Sequence, residues 1–165
     1  MRLIIHDLTE EQTLSVIEKR EGDRMLYAGG SFRNCVGCFG CWVRTPTECV
    51  IRDELPKMSS LLFGSDEVII VSRMTYGWLS PECKCVLDRC IGYMQPFFTK
   101  VKGEMHHRQR SRHRIELVYM LYGDSREQER ELAKKLAERN ALNLGAEVKG
   151  VYVADTWQEL GGVRL

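Results

Sequence analysis

Four of the seven cysteines in this 165-residue chain fall between Cys35 and Cys49, spaced C-x2-C-x2-C-x7-C. Cysteine makes up about 4% of the chain, far below the roughly 8–10% of disulfide scaffolds, and the total is odd, so metal or redox chemistry fits better than cross-linking. Gly37 and Gly40 let the backbone curl so that Cys35, Cys38 and Cys41 converge, with Cys49 as a more distant donor. Four thiolates are the ligand set of a [4Fe–4S] cluster. Tetrahedral zinc takes the same donors, usually from two C-x2-C knuckles rather than three close cysteines and one remote. A third reading has the thiols filling a small apolar corner beside Phe39 and Trp42, because free cysteine is among the most buried residue types. All three readings stay open on the sequence.

The remaining candidates are quieter. Cys83 and Cys90 share a helix face with Val86 and Leu87 and read as core thiols, whereas Cys85 points elsewhere and has no neighbouring base to activate it. Asp88-Arg89 reads as an ordinary surface pair. No carboxylate pair or catalytic triad stands out, in keeping with chemistry carried by a cofactor. The basic insertion 100–114 holds six cations against Glu104, net +5, which leaves −4 on the rest of a chain whose total is +1. It reads as a solvated connection, or as a phosphate site through Arg108 and Arg110. Nucleic acid is not an expected partner, since the rest is acidic and no recognition motif appears.

These residues must be positioned by a fold of modest size. The length predicts one domain, 1–165, and the 44% hydrophobic and 28% charged fractions are those of a globular chain. No apolar run reaches the roughly 18 residues of a membrane span, and Met1–His6 is too short for a secretory signal, so the expectation is cytoplasmic, with no membrane partner. Arg2–His6, Met25–Ala28, Glu67–Ser72, Ile115–Leu121 and Val148–Val153 read as strands, the third a continuous aliphatic run suited to the middle of a parallel sheet. Between them, Asp53 is placed to cap a short helix carrying Leu55, Met58, Leu61 and Leu62. Ser80-Pro81-Glu82 opens another, with Cys83, Val86, Leu87, Cys90, Ile91 and Met94 on one face. Asp124-Ser125 begins a long helix that Gly145 stops. The alternation predicts a five-stranded α/β sandwich, with its ligand beyond the strand ends after Ile5, Ser72 and Leu121.

The stretch Cys35-Val36-Gly37-Cys38-Phe39-Gly40-Cys41-Trp42, with Thr45-Pro46, Cys49-Val50-Ile51 and Asp53, resembles the cysteine segment of flavodoxin-like NADPH-dependent FMN reductases, including their iron–sulfur flavoprotein branch. The resemblance continues through Val68–Ser72, Thr75-Tyr76-Gly77-Trp78 and Lys84 to Asp88-Arg89, and covers roughly residues 30 to 92. It implies an α/β, flavodoxin-like three-layer sandwich on a five-stranded parallel sheet, FMN at the strand ends and NAD(P)H as electron donor. The acceptor would be flavin, quinone or an iron–sulfur centre. It further implies that Thr9, Met74, Thr75, Tyr76, Gly77, Trp78, Tyr122, Gly123 and Asp124 contact FMN, and that Cys35, Cys38, Cys41 and Cys49 ligate a [4Fe–4S] cluster. A homodimer or homotetramer is implied as well.

Read from the residues alone, Tyr76 and Trp78 could instead cover the sheet edge, and Asp124 could be an N-cap after a turn glycine. The chain departs from the family after the first strand. There Asp7-Leu8-Thr9-Glu10-Glu11-Gln12 replaces a loop of small and hydroxyl residues that wraps the FMN phosphate, and Thr75 stands where relatives carry proline. Those departures keep a second class open: a flavodoxin-like binding or interaction protein without FMN, its cysteine loop a structural or metal site.

Overall fold

The computed structural model describes residues 1–163; residues 164 and 165, the end of the expected domain, lie outside the described residues. The described strands are β1 (Arg2–His6), β2 (Arg24–Tyr27), β3 (Glu67–Arg73), β4 (Met94–Val101), β5 (Glu104–Gln109), β6 (Glu116–Tyr122) and β7 (Glu147–Ala154). Five of them form one sheet in the order β2-β1-β3-β6-β7, every pairing parallel. β3 takes the centre because Val68, Ile69, Ile70 and Val71 are apolar on both faces, and each is 0% exposed.

The period of two divides the core. Leu3, Ile5, Val68, Ile70, Leu117 and Leu121 meet α3 (Met58–Phe63), α4 (Pro81–Asp88) and α5 (Glu127–Leu144) through Leu62, Cys83, Val86 and Ala137. Ile4, Ile69, Val71, Val118 and Met120 face the other way, onto α1 (Glu10–Val16) and a closing 3-10 turn at Gln158–Gly162, while the four-residue α2 (Gly40–Val43) lies within the cysteine loop. Three layers result, with the strand order of flavodoxin-like sheets. None of the described helices is long and apolar enough to cross a membrane.

Ser80 caps α4 with Pro81 at its first position, as expected, and Gly145 ends α5 in the left-handed region at φ 62°. A Cβ at Gly145 would also sit 2.6 Å from Gln109 Cδ. Gly145→Ala is expected to lower stability by about 1 kcal/mol or more, read as a drop in thermal midpoint.

Four local expectations are corrected. Asp53 does not cap α3, which begins at Met58 after Lys57; its carboxylate accepts from Leu55 N and turns to Arg89. Asp124 does not cap α5, whose N-cap is Arg126, with Glu129 accepting from the Arg126 amide. α4 stops at Asp88, and the chain passes through a 3-10 turn at Ile91–Tyr93 so that Met94 opens β4. Gly92 makes that passage possible, since a Cβ there would lie 3.1 Å from Ser59 Oγ and 3.2 Å from Cys41 Cβ, and Pro96 cannot donate to a continuing helix. Finally, the basic insertion is no bare connection: β4 and β5 form an antiparallel hairpin around Lys102-Gly103, both at positive φ as a two-residue primed turn requires.

Candidate functional site

Arg89, placed by sequence on the surface, is buried to 0% exposure. Its guanidinium grips Asp53 in bidentate fashion, Nη1 to Oδ2 at 2.6 Å and Nη2 to Oδ1 at 2.9 Å. Nη1 also donates to Arg33 O at 2.6 Å, and Nε donates to Cys49 Sγ at 3.2 Å. Asp53 in turn accepts from the Arg33 amide at 3.1 Å. One side chain at the end of α4 thus clasps both ends of the cysteine loop. The Arg89 hydrogen bonds hold the Asp53 carboxyl well below the usual carboxylate range, outweighing the opposing effect of its burial.

Cys35, Cys38, Cys41 and Cys49 line one cavity of about 580 Å³, shared with Phe39, Trp42, Cys90 and His107. Cys35 and Cys38 are exposed, Cys49 is half-buried and Cys41 buried. Burial pushes the Cys41 thiol up, and the neighbouring Cys49, Cys35 and Cys38 push it the same way, so each of the three lies within electrostatic reach of Cys41. Among the described residues, no three His, Cys, Asp or Glu side chains gather around a single metal-ion position.

A chain of rings closes the outer wall. Phe39 stacks on Trp42 at 5.4 Å, Trp42 meets His107 at 5.0 Å, and His107 stacks on Phe98 at 4.7 Å. Trp42 Nε1 donates to Met94 O at 2.9 Å. Cys83 and Cys90 are core thiols as read from the sequence, their pKa values raised by burial to about 12. Cys85 is half-buried, its Sγ 3.7 Å from Arg33 O. Arg110, one of the two suggested phosphate ligands, donates to the Gly92 and Met94 carbonyls.

The cofactor-loop residues collect elsewhere. α4 and α5 run back against the strands, and the cavity uses Leu87–Ile91 and Asn140–Leu144 near their ends, so it lies toward the amino edge of the sheet. Thr9, Met74–Trp78 and Tyr122–Asp124 all lie at the carboxyl edge. Asp7, absent from the sequence candidates, ties that edge together. Its Oδ2 accepts from the Arg73 amide at 2.9 Å and the Ser72 hydroxyl at 3.5 Å, and its Oδ1 accepts from Tyr122 OH at 2.9 Å. Burial and the Asp7 charge both push the Tyr122 phenol upward.

Thr75 and Trp78 exchange backbone hydrogen bonds at 2.8 and 3.1 Å, with Tyr76 at φ 51° and Gly77 at φ 77° forming a primed turn between them. Tyr76 is 90% exposed, and Trp78 packs on Tyr119 at 5.3 Å. A Cβ at Gly77 would lie 3.1 Å from Leu132 and 3.2 Å from Glu129 O, so only glycine lets the turn rest on α5. The amides of Tyr76 and Gly77 have no backbone acceptor among the described residues.

Thr9 is committed locally: its hydroxyl accepts from Gln12 N and its amide donates to Gln12 Oε1, a capping box at the start of α1. Glu10 and Glu11 fill the first turn. The carboxyl edge therefore presents an exposed aromatic ring and two amides without backbone acceptors among the described residues at the Tyr76 turn, and at the first loop a spent Thr9 beside carboxylates.

No family model matches the chain, and no curated protein does. Among solved structures it is similar to an FMN-dependent NADH-azoreductase from Bacillus anthracis str. Ames Ancestor in complex with FMN, at TM-score 0.60 and 10% identity, over 97% of this chain and 92% of that one. A flavoprotein in complex with FMN from Lactobacillus acidophilus NCFM aligns at TM-score 0.45 and 11% identity, over 93% of this chain and 92% of that one. At such identity the first likeness speaks to the fold, and with the strand order above it shows a flavodoxin-like α/β sandwich.

Proposed function

We propose that the chain is an oxidoreductase of the FMN reductase kind, one cytoplasmic domain that takes electrons from NAD(P)H at a flavin and passes them to flavin, quinone or an iron–sulfur centre. The observation that carries this reading is the Tyr76-Gly77 turn, an exposed ring and two open amides at the carboxyl end of the central strand. In sheets of this strand order the ligand lies at that edge. The FMN carried by the azoreductase of the same fold supports it.

A flavin supplies hydride acceptance and electron transfer when bound; the protein supplies position. Tyr76 offers a stacking face, the Tyr76 and Gly77 amides offer donors, and Trp78, wedged on Tyr119, keeps the turn from shifting. Tyr122, fixed by its bond to Asp7, borders the same edge, where Gly123 and Asp124 follow. In the cavity toward the other edge, Cys35, Cys38, Cys41 and Cys49 would hold the [4Fe–4S] cluster only with the loop drawn closer, since among the described residues no three of them surround one metal position. Assembly as a homodimer or homotetramer belongs to the same proposal.

The test is a flavin titration of the full chain followed by fluorescence quenching. Tyr76→Ala should weaken flavin binding by about tenfold, the upper range of one aromatic stacking partner. Its thermal midpoint should not move, because the ring buries almost nothing. Unchanged affinity would remove Tyr76 from the site.

The Asp7 knot and the Thr9 capping box favour a second reading, a flavodoxin-like binding protein that has lost FMN and keeps the cysteine loop as a structural or metal site. A protein that purifies colourless and quenches no flavin fluorescence would establish it over the first.

A further inference from the structure

We infer that the strand-edge site selects a flavin without its 5′-phosphate, so that riboflavin is preferred to FMN, and that Asp7, Glu10 and Glu11 are the residues that set this specificity. The inference rests on the proposed flavin site at the Tyr76 turn and deepens it.

A phosphate dianion needs unspent donors, best of all backbone amides with a favourable local charge. In the first loop the amides of Glu10 and Glu11 have no backbone acceptor among the described residues, but each sits beside its own residue's carboxylate, so the local charge is unfavourable. Thr9 spends its hydroxyl and its amide on Gln12, and no glycine lies between Asp7 and Gln12 to let the backbone wrap an anion. Glu10 and Glu11 stand exposed in the first turn of α1, and Asp124 is exposed on the third loop. Asp7 cannot swing aside cheaply, because its departure would orphan the Arg73 amide and the Tyr122 hydroxyl. Arg73 and Arg126 bring cations to this rim, set against those four carboxylates.

An unphosphorylated ribityl chain suits the same surface. Its hydroxyls are donors, and ionised carboxylates are pure acceptors. The ring sits identically in both flavins, so the difference falls on the tail alone.

The full chain is titrated with riboflavin and with FMN in low and high salt. Riboflavin is expected to bind about tenfold tighter at low salt, from like-charge repulsion at the rim. The gap should narrow at about 0.5 M salt as the screening length shrinks. Glu10→Gln with Glu11→Gln leaves the Thr9–Gln12 box intact and should bring the two affinities within about twofold of each other. FMN binding as tightly as riboflavin, or tighter, in the unaltered chain overturns the inference and leaves the flavin site standing. A ratio unmoved by the double substitution overturns the role given to the loop carboxylates. Binding of neither flavin removes the proposed function and this inference together.

Discussion

Arg89→Met is expected to destabilise the protein by about 3–5 kcal/mol, since removing one partner of a buried ion pair strands the other. Asp53, with its side chain 8% exposed, would keep its charge and lose both guanidinium bonds. Lysine would not rescue, because a single ammonium cannot reproduce the bidentate grip while reaching Arg33 O and Cys49 Sγ. Acid should narrow the gap. The folded-state pKa of Asp53 is depressed, so its contribution is complete above the unfolded carboxyl value near 3.9 and fades as pH falls through the lower folded one. In Arg89→Met the stranded carboxyl escapes its penalty on protonation. Urea unfolding at pH 7 and pH 3 therefore gives a large difference between the two proteins at pH 7 and a smaller one at pH 3. A difference independent of pH would locate the loss in packing alone.

Serine at Cys35, Cys38, Cys41 and Cys49 should abolish iron uptake by anaerobically reconstituted protein, where the unaltered chain should hold about four irons with matching sulfide and a broad brown absorption. Because Cys41 is buried, Cys35→Ser/Cys38→Ser is the cleaner variant; both positions are exposed, and the fold should survive their change intact. One equivalent of zinc in place of iron would support a tetrahedral site, and no metal in either preparation would leave Cys41 as a packing thiol and Cys35 and Cys38 as exposed ones.

Chain order and periodicity carried the sandwich well. β3 announces itself by an aliphatic run with no polar face, and the Ser80-Pro81 start of α4 and the Gly145 stop of α5 are local signals read one turn at a time. The end of α4 was not legible, because Cys90, Ile91 and Met94 continue a helical apolar period while the crowding at Gly92 depends on Ser59 and Cys41, far away in sequence. The Lys102-Gly103 turn left a trace in its glycine, outweighed by the density of charge around it. Within the candidate sites, cysteine spacing pointed to one shared loop, and the four thiols do line one cavity. The roles of Arg89, read as half of a surface pair, and of Asp7, read only as part of an acidic loop, were illegible for a common reason: each acts through partners on other elements, Asp53 and Arg33 for one, Arg73 and Tyr122 for the other. No window of neighbouring residues contains such a pairing.

The ring chain from Phe39 through Trp42 and His107 to Phe98 joins two segments that have little else in common, an irregular loop and a two-stranded hairpin marginal on its own. Neither belongs to the central sheet, and besides the rings each is tied to the body, the loop through Arg89 and the hairpin through Asn143 of α5. Their shared rings should make the two open together and at lower free energy than β1, β3 and β6, read as matching amide exchange rates in both segments.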